Sequence, residues 1–168
     1  MTPDSVPVGG GLTRRQYWQD GCAPHPATLL AAAFAVVRDG DARVLLVRRT
    51  DDGNWELPGG RIDVGESASA AAAREVAEES GVEVKITGVA GVYSDPGHVL
   101  AYPDGGVHQQ LAICFQAWPV AGEPRPDGLE TDAAGWFEPA ETGGLQMHPA
   151  MRVRLVRALD EPAVAQFD

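Results

Sequence analysis

Apolar and polar residues along the chain fall into short blocks that switch between a period of two and a helical period. Residues 28–38 and 43–49 read as two strands joined by the turn Asp39-Gly40-Asp41. Within the second, Val44-Leu45-Leu46-Val47 is a continuous apolar run, which a strand buried on both faces requires. Residues 50–54 are a polar loop, and Trp55-Glu56-Leu57 forms a short strand that enters a turn at Gly59-Gly60. Residues 68–80 are mostly strong helix formers, with Ser67 placed to cap the start and Gly81 to stop the end. Val82, Val84 and Ile86 alternate with polar neighbours, so residues 82–93 read as a strand. Residues 94–106 read as a long loop, residues 107–119 contain a strand with Leu111, Ile113 and Phe115 on one face, and residues 121–128 are a polar loop. A last short strand spans residues 133–138 around Trp136-Phe137. Met151, Leu155, Val156 and Leu159 then recur at helical spacing across residues 148–160, with Pro149 suited to the first turn.

The ends carry less pattern. Residues 1–11 are rich in Pro and Gly and read as disordered or loosely attached. Residues 12–26 hold Tyr17 and Trp18, which pack either across the domain or across a partner in a homodimer; the residues leave both open. The expected organisation is an N-terminal segment 1–26, one domain over 27–160 and a tail over 161–168. Strands on both sides of a central helix, with a second helix at the end, imply an α/β fold whose sheet is covered on both faces.

Composition narrows the function classes. Hydrophobic content of 44% and charged content of 22% are ordinary for a globular domain. A net charge of -11 argues against sequence-independent binding to nucleic-acid backbones, yet permits small phosphorylated substrates where metal ions invert the local potential. Cys22 and Cys114 are the only cysteines, which gives no disulfide framework and points to a reducing cytoplasmic setting. The apolar run over residues 27–37 is shorter than the roughly 20 residues needed to cross a bilayer and reads as a buried strand, so no membrane role is expected.

The helix over residues 68–80 concentrates acid. With Glu75 set at zero, Glu79 lies about 40° to one side and Glu78 about 60° to the other, so three carboxylates share an arc of about 100°. Ala70, Ala73 and Ala77 lie opposite, where small side chains would let the helix approach a sheet. Exposed like charges at this spacing repel by tenths of a kcal/mol per pair, about 0.2–0.5. A hard divalent cation turns that repulsion into binding, because Mg²⁺ prefers carboxylate and water oxygens.

Around these acids stand Gly60, Glu66, Arg74, Glu75, Val76, Glu78, Glu79, Gly81 and Val82, and this spacing resembles the Nudix box, G-x5-E-x7-R-E-U-x-E-E-x-G-U with U aliphatic. The approach Trp55-Glu56-Leu57-Pro58-Gly59-Gly60 is similar to the family's as well. The resemblance implies an α/β/α sandwich with a mixed β-sheet between helices. It implies Mg²⁺ or Mn²⁺ held by Glu75, Glu78 and Glu79, with the Gly60 carbonyl completing the site, Arg74 orienting a box glutamate and Glu66 supporting the network or a second metal.

The implied reaction is hydrolysis of a nucleoside diphosphate linked to another moiety, of ADP-ribose or nucleotide-sugar type, with a box glutamate or Glu130 as general base. Pro96 lies 14 residues beyond Val82, near where ADP-ribose pyrophosphatases of the family carry a proline. Substrate contacts are expected from Trp55, Tyr102, Asp104 and His108, with Gln110 also in reach. Two alternatives stand beside this. One is a nucleoside triphosphate pyrophosphohydrolase, including for oxidised nucleotides. The other is a nucleotide-sensing module of the same fold without turnover, although such modules often lose box acids and all are present here.

Overall fold

A computed structural model describes residues 14–168. The elements run β1 (Arg15–Trp18), β2 (Thr28–Val37), β3 (Val44–Arg49), β4 (Trp55–Glu56), β5 (Gly59–Arg61), α1 (Ala68–Ser80), β6 (Glu83–Tyr93), β7 (His98–Ala101), β8 (Val107–Ala121), β9 (Thr131–Phe137), α2 (Pro149–Asp160) and β10 (Gln166–Phe167). A 3-10 turn at Pro139–Gly144 precedes α2.

A mixed sheet of seven strands forms the centre. Strand β8 pairs in parallel with β2 on one edge and antiparallel with β6 and β7 on the other. Beyond β2 lies β5, beyond β7 lies β1, and β10 joins β6. Strands β4, β3 and β9 make a second, antiparallel sheet. The alternation of β2 divides the core. Ala32, Phe34 and Val36 face a cluster that includes Met151, Leu155 and Ala158 of α2. Ala33, Ala35 and Val37 face clusters that include Ala71, Ala72 and Val76 of α1. The two helices therefore cover opposite faces of the sheet, as an α/β/α sandwich requires.

Several expectations need correction. Residues 28–38 and 43–49 are strands, but they do not form a hairpin ladder. Only an Arg38–Val44 bridge joins them before they part into different sheets. Both faces of β3 are buried, with Val44 and Leu46 in one cluster and Leu45 in another, so β3 serves a sheet of its own. The stretch read as a loop over 94–106 contains β7, and the segment before residue 26 contributes β1, which pairs with β7. Tyr17 and Trp18 thus lie on this chain's own sheet. The expectation for residues 1–11 falls outside the described residues.

The cap residues of α1 behave as their chemistry demands. Ser67 Oγ accepts from the Ala70 N–H at 3.2 Å, and Gly81 sits at φ 72°, which glycine adopts without a Cβ penalty. The packed face is not the alanine arc over 70, 73 and 77. Ala72, Val76, Glu79 and Ser80 are buried at spacings of i, i+4, i+7 and i+8, while Ala70 is exposed. Val76, the helix's one large apolar residue, sets that face and carries Glu79 inward with it. Among the described residues no helix is long and apolar enough to cross a membrane.

Candidate active site

Strand β5 is an edge strand held against β2, with Ala33 opposite Gly60 and Phe34 opposite Gly59. This register brings the Gly59-Gly60 backbone against the last two turns of α1. The Gly59 N–H donates to Glu79 Oε2 at 2.9 Å. A Cβ on Gly60 would fall 2.6 Å from the carboxylate of Glu75, so a side chain at this position cannot coexist with the present position of Glu75. The three acids differ in exposure: Glu79 is 2% exposed, whereas the side chain of Glu75 is 14% and that of Glu78 58% exposed. The three carboxylates that share one arc of the helical wheel therefore differ in environment, with Glu79 buried and Glu78 at the rim.

Arg74 ties the remaining acids together. Its guanidinium donates to Glu66 Oε1 at 2.7 Å, Glu75 Oε1 at 2.9 Å and Glu78 Oε2 at 3.0 Å. Glu66 also accepts the Asp63 N–H at 2.9 Å. The Arg74 hydrogen bond holds the Glu66 carboxyl below the usual carboxylate range. Burial raises Glu75 against the pull of Arg74, and the charges of Glu78 and Glu130 add to the rise.

Behind these acids lies a charged group that the sequence reading missed. Glu56 on β4 is buried and receives Arg49 Nη1 at 3.2 Å, and Arg49 also forks onto Asp51 at 2.7 and 2.8 Å. Burial pushes the Glu56 carboxyl up, opposed by Arg49 and Arg14. Glu79 is pushed up to about 9 by burial and then by the charge of Glu56. An acid between Trp55 and Leu57 in a strand was a visible signal, because a charge there has to be paired or functional.

The donor chemistry fits a hard divalent cation. Only oxygen donors are offered, and Glu75, Glu78 and Glu79 occupy the C-terminal half of α1, where the helix dipole is negative and the last turn has no basic residue. This arrangement costs stability unless positive charge completes it. Arg74 supplies part of that charge to Glu75 and Glu78 but does not reach Glu79. Among the described residues, no group of three His, Cys, Asp or Glu side chains already converges on one point. Glu75 and Glu78 would have to turn from Arg74 toward the cleft to share an ion with Glu79.

That cleft has a volume of about 370 Å³ and opens beside the turn, with Gly60, Glu75, Glu56 and Glu130 among its walls. Arg14, Arg49 and Arg61 bring positive charge to it, and Leu30, Ala32 and Phe34 of β2 contribute apolar surface. Arg14 Nε is buried there without a hydrogen-bond partner among the described residues. Tyr102 and Pro103 also border the cleft. His108 stands behind Tyr102, edge-on at 5.6 Å, with Nδ1 2.6 Å from Thr28 Oγ1. Asp104 is exposed, and its carboxylate caps the Gly106 N–H at 2.9 Å. Trp55 is not among the cleft's lining residues. It packs edge-on against Phe137 at 4.8 Å, with Arg48 over its ring at 5.7 Å.

Similarity to known proteins agrees with this geometry. The family described as NUDIX domain matches residues 28–159. A MutT-like protein of Streptomyces ambofaciens is 34% identical over 142 residues, covering 84% of this chain and 83% of the relative. A Bacillus subtilis protein provisionally named 8-oxo-dGTP diphosphatase is 38% identical over 107 residues, covering 64% of this chain and 65% of the relative. A crystal structure of an ADP-ribose pyrophosphatase from Streptococcus suis superposes with a TM-score of 0.64 at 23% identity, covering 83% of this chain and 98% of that one, which is a likeness of fold. With the box acids gathered at a glycine turn beside an open cleft, and the family pattern spanning the sheet and both helices, the chain belongs to the Nudix hydrolases.

Proposed function

We propose that the protein hydrolyses the pyrophosphate bond of a nucleoside diphosphate linked to a second moiety, of ADP-ribose or nucleotide-sugar type, and releases a nucleoside monophosphate. The observation that carries this reading is the placement of Glu75 and Gly60 on the wall of the 370 Å³ cleft with buried Glu79 directly behind them. Pro96, 14 residues past Val82, adds support for the ADP-ribose type.

Glu75, Glu79, Glu78 and the Gly60 carbonyl would hold Mg²⁺ or Mn²⁺, with Glu66 acting through Arg74. When bound, the cation neutralises charge on the pyrophosphate oxygens and acidifies an attacking water. Arg74 sets the direction of the Glu75 and Glu78 carboxylates. Arg14 and Arg61, among the cleft's lining residues, offer positive charge to the phosphates. Glu130 borders the cleft, is exposed, and has no ion pair among the described residues, so its carboxylate is free to accept the proton of water; Glu78 is the other acid at the rim.

A second reading is hydrolysis of a nucleoside triphosphate with pyrophosphate as product, favoured by the name of the Bacillus subtilis relative. A panel of ADP-ribose, nucleotide sugars, nucleoside triphosphates and 8-oxo-dGTP, each with Mg²⁺ or Mn²⁺ and with product identification, tests both. Monophosphate release from a diphosphate-linked compound supports the first. Pyrophosphate release supports the second. No turnover of any member refutes both and leaves nucleotide sensing.

A further inference from the structure

One buried amide in the cleft has its direction dictated from behind. Gln110 of β8 is 4% exposed and borders the cleft beside Leu30, its partner on β2. Its Oε1 accepts from Arg154 Nη2 at 2.8 Å, and the same nitrogen lies 3.2 Å from His98 Nδ1. A guanidinium has N–H groups only, so both atoms facing it must be acceptors. Gln110 therefore turns its oxygen inward, and His98 is neutral with its proton on Nε2, from which it donates to Gln16 Oε1 at 3.3 Å. Burial, followed by the charge of Arg154, holds the His98 imidazole down at about 3, in accord with a neutral ring.

Arg154 has little freedom to release the amide. It is 3% exposed, lies 5.4 Å from the ring centroids of both Phe34 and Tyr93, and has no carboxylate partner among the described residues. The relay from Gln16 through His98 and Arg154 thus leaves Gln110 one role, to offer N–H donors toward the cleft. Its amide nitrogen has no hydrogen-bond partner among the described residues.

Register sets its distance from the box turn. Gly60 stands opposite Ala33 and Gln110 opposite Leu30, three residues apart along β2. At strand rise that is about 10 Å along β2. Because β5 and β8 flank β2 on opposite sides, about 10 Å more lies across the sheet, so about 14 Å separates the two backbones. That is a span for a phosphate at the turn, its sugar and base, and the Gln110 side chain together.

We propose that Gln110 is a specificity-determining residue that donates to a hydrogen-bond acceptor on the nucleobase, and that Arg154 is the positioning residue that keeps it a donor. The acceptor is a base carbonyl oxygen or an unprotonated ring nitrogen; an exocyclic amino group at that point meets an N–H and is rejected. This rests on the nucleotide reading above.

The test is calorimetric binding of AMP, GMP, CMP and UMP to the full chain in EDTA, where turnover plays no part. For the best-bound monophosphate, Gln110→Met should weaken binding about fivefold to tenfold, the effect of one neutral hydrogen bond. Gln110→Glu should weaken it at least as much, since a carboxylate still satisfies Arg154 but offers no donor. Arg154→Met should match Gln110→Met, and the double variant should bind no more weakly than either single variant. Unchanged binding by Gln110→Met, additive losses in the double variant, or no binding of any monophosphate by the native chain would overturn the inference. If Arg154→Met does not fold, the two Gln110 variants decide. Failure of the hydrolysis panel with this binding pattern intact would refute the hydrolase reading alone, and hydrolysis with the pattern absent would refute the Gln110 assignment alone.

Discussion

Glu79 Oε2 takes the Gly59 N–H at 2.9 Å, joining residues twenty apart in the chain across the seam between α1 and β5. The bond fixes a carboxylate where burial and the charge of Glu56 both oppose its ionisation. Such a group serves stability poorly and serves a cation well.

Replacement of Glu79 by Gln keeps an acceptor for the Gly59 N–H and removes the charge. We expect kcat to fall by at least about 100-fold, the scale seen when one preorganised electrostatic group is lost. Because Glu79 is buried and not an exposed ligand, the metal-free variant should melt no lower than the native protein at pH 8. Thermal melts and steady-state kinetics check both halves, and near-native turnover would remove Glu79 from the site.

Metal uptake should release protons. The folded value of about 9 for Glu79 lies far above that of an unfolded glutamate, so without metal the group stays protonated to about pH 9. Its contribution to stability is complete below the unfolded value of about 4.3 and is lost as pH rises through the folded one. The metal-free protein should therefore lose stability between about pH 5 and 9, and Mg²⁺ should restore most where the pH is highest. Titration in two buffers of different ionisation enthalpy reads the released proton. A buffer-independent heat at pH 7 would contradict the assignment.

Gly60→Ala puts a Cβ 2.6 Å from the Glu75 carboxylate. Glu75 must then swing off the turn, and we expect at least about a tenfold loss of kcat/KM from displaced charge at the reacting centre. Circular dichroism should show the fold retained.

Arg74→Met frees Glu66, Glu75 and Glu78 from a shared cation. We expect activity to drop about 10–100-fold, as is usual when the group that orients a ligand is removed. Arg74→Lys should recover little, because one ammonium cannot reproduce a fork onto three carboxylates. A native kcat/KM in either variant would reduce Arg74 to a surface arginine.

Much of this was legible in the residues. Ser67 and Gly81 bound α1 by capping chemistry alone, and the box spacing located the acids. The direction of the helix was not legible from the alanines, because a wheel gives angles between side chains and not which angle faces the sheet; Val76 was the better guide. The Arg49–Glu56 pair was hidden for another reason. It exists only because β3 and β4 set Val47 opposite Glu56, a register that tertiary structure imposes. Strand β7 is four residues long between turn-rich flanks, too short for its alternation to register.

The most direct test of the acidic site is Mn²⁺ binding followed by electron paramagnetic resonance, in the native chain and in Glu75→Gln and Glu79→Gln. The native chain should take up Mn²⁺, and each variant should bind it at least about tenfold more weakly, in step with its loss of turnover. Equal Mn²⁺ affinity in all three proteins would contradict the assignment of these glutamates to a cation.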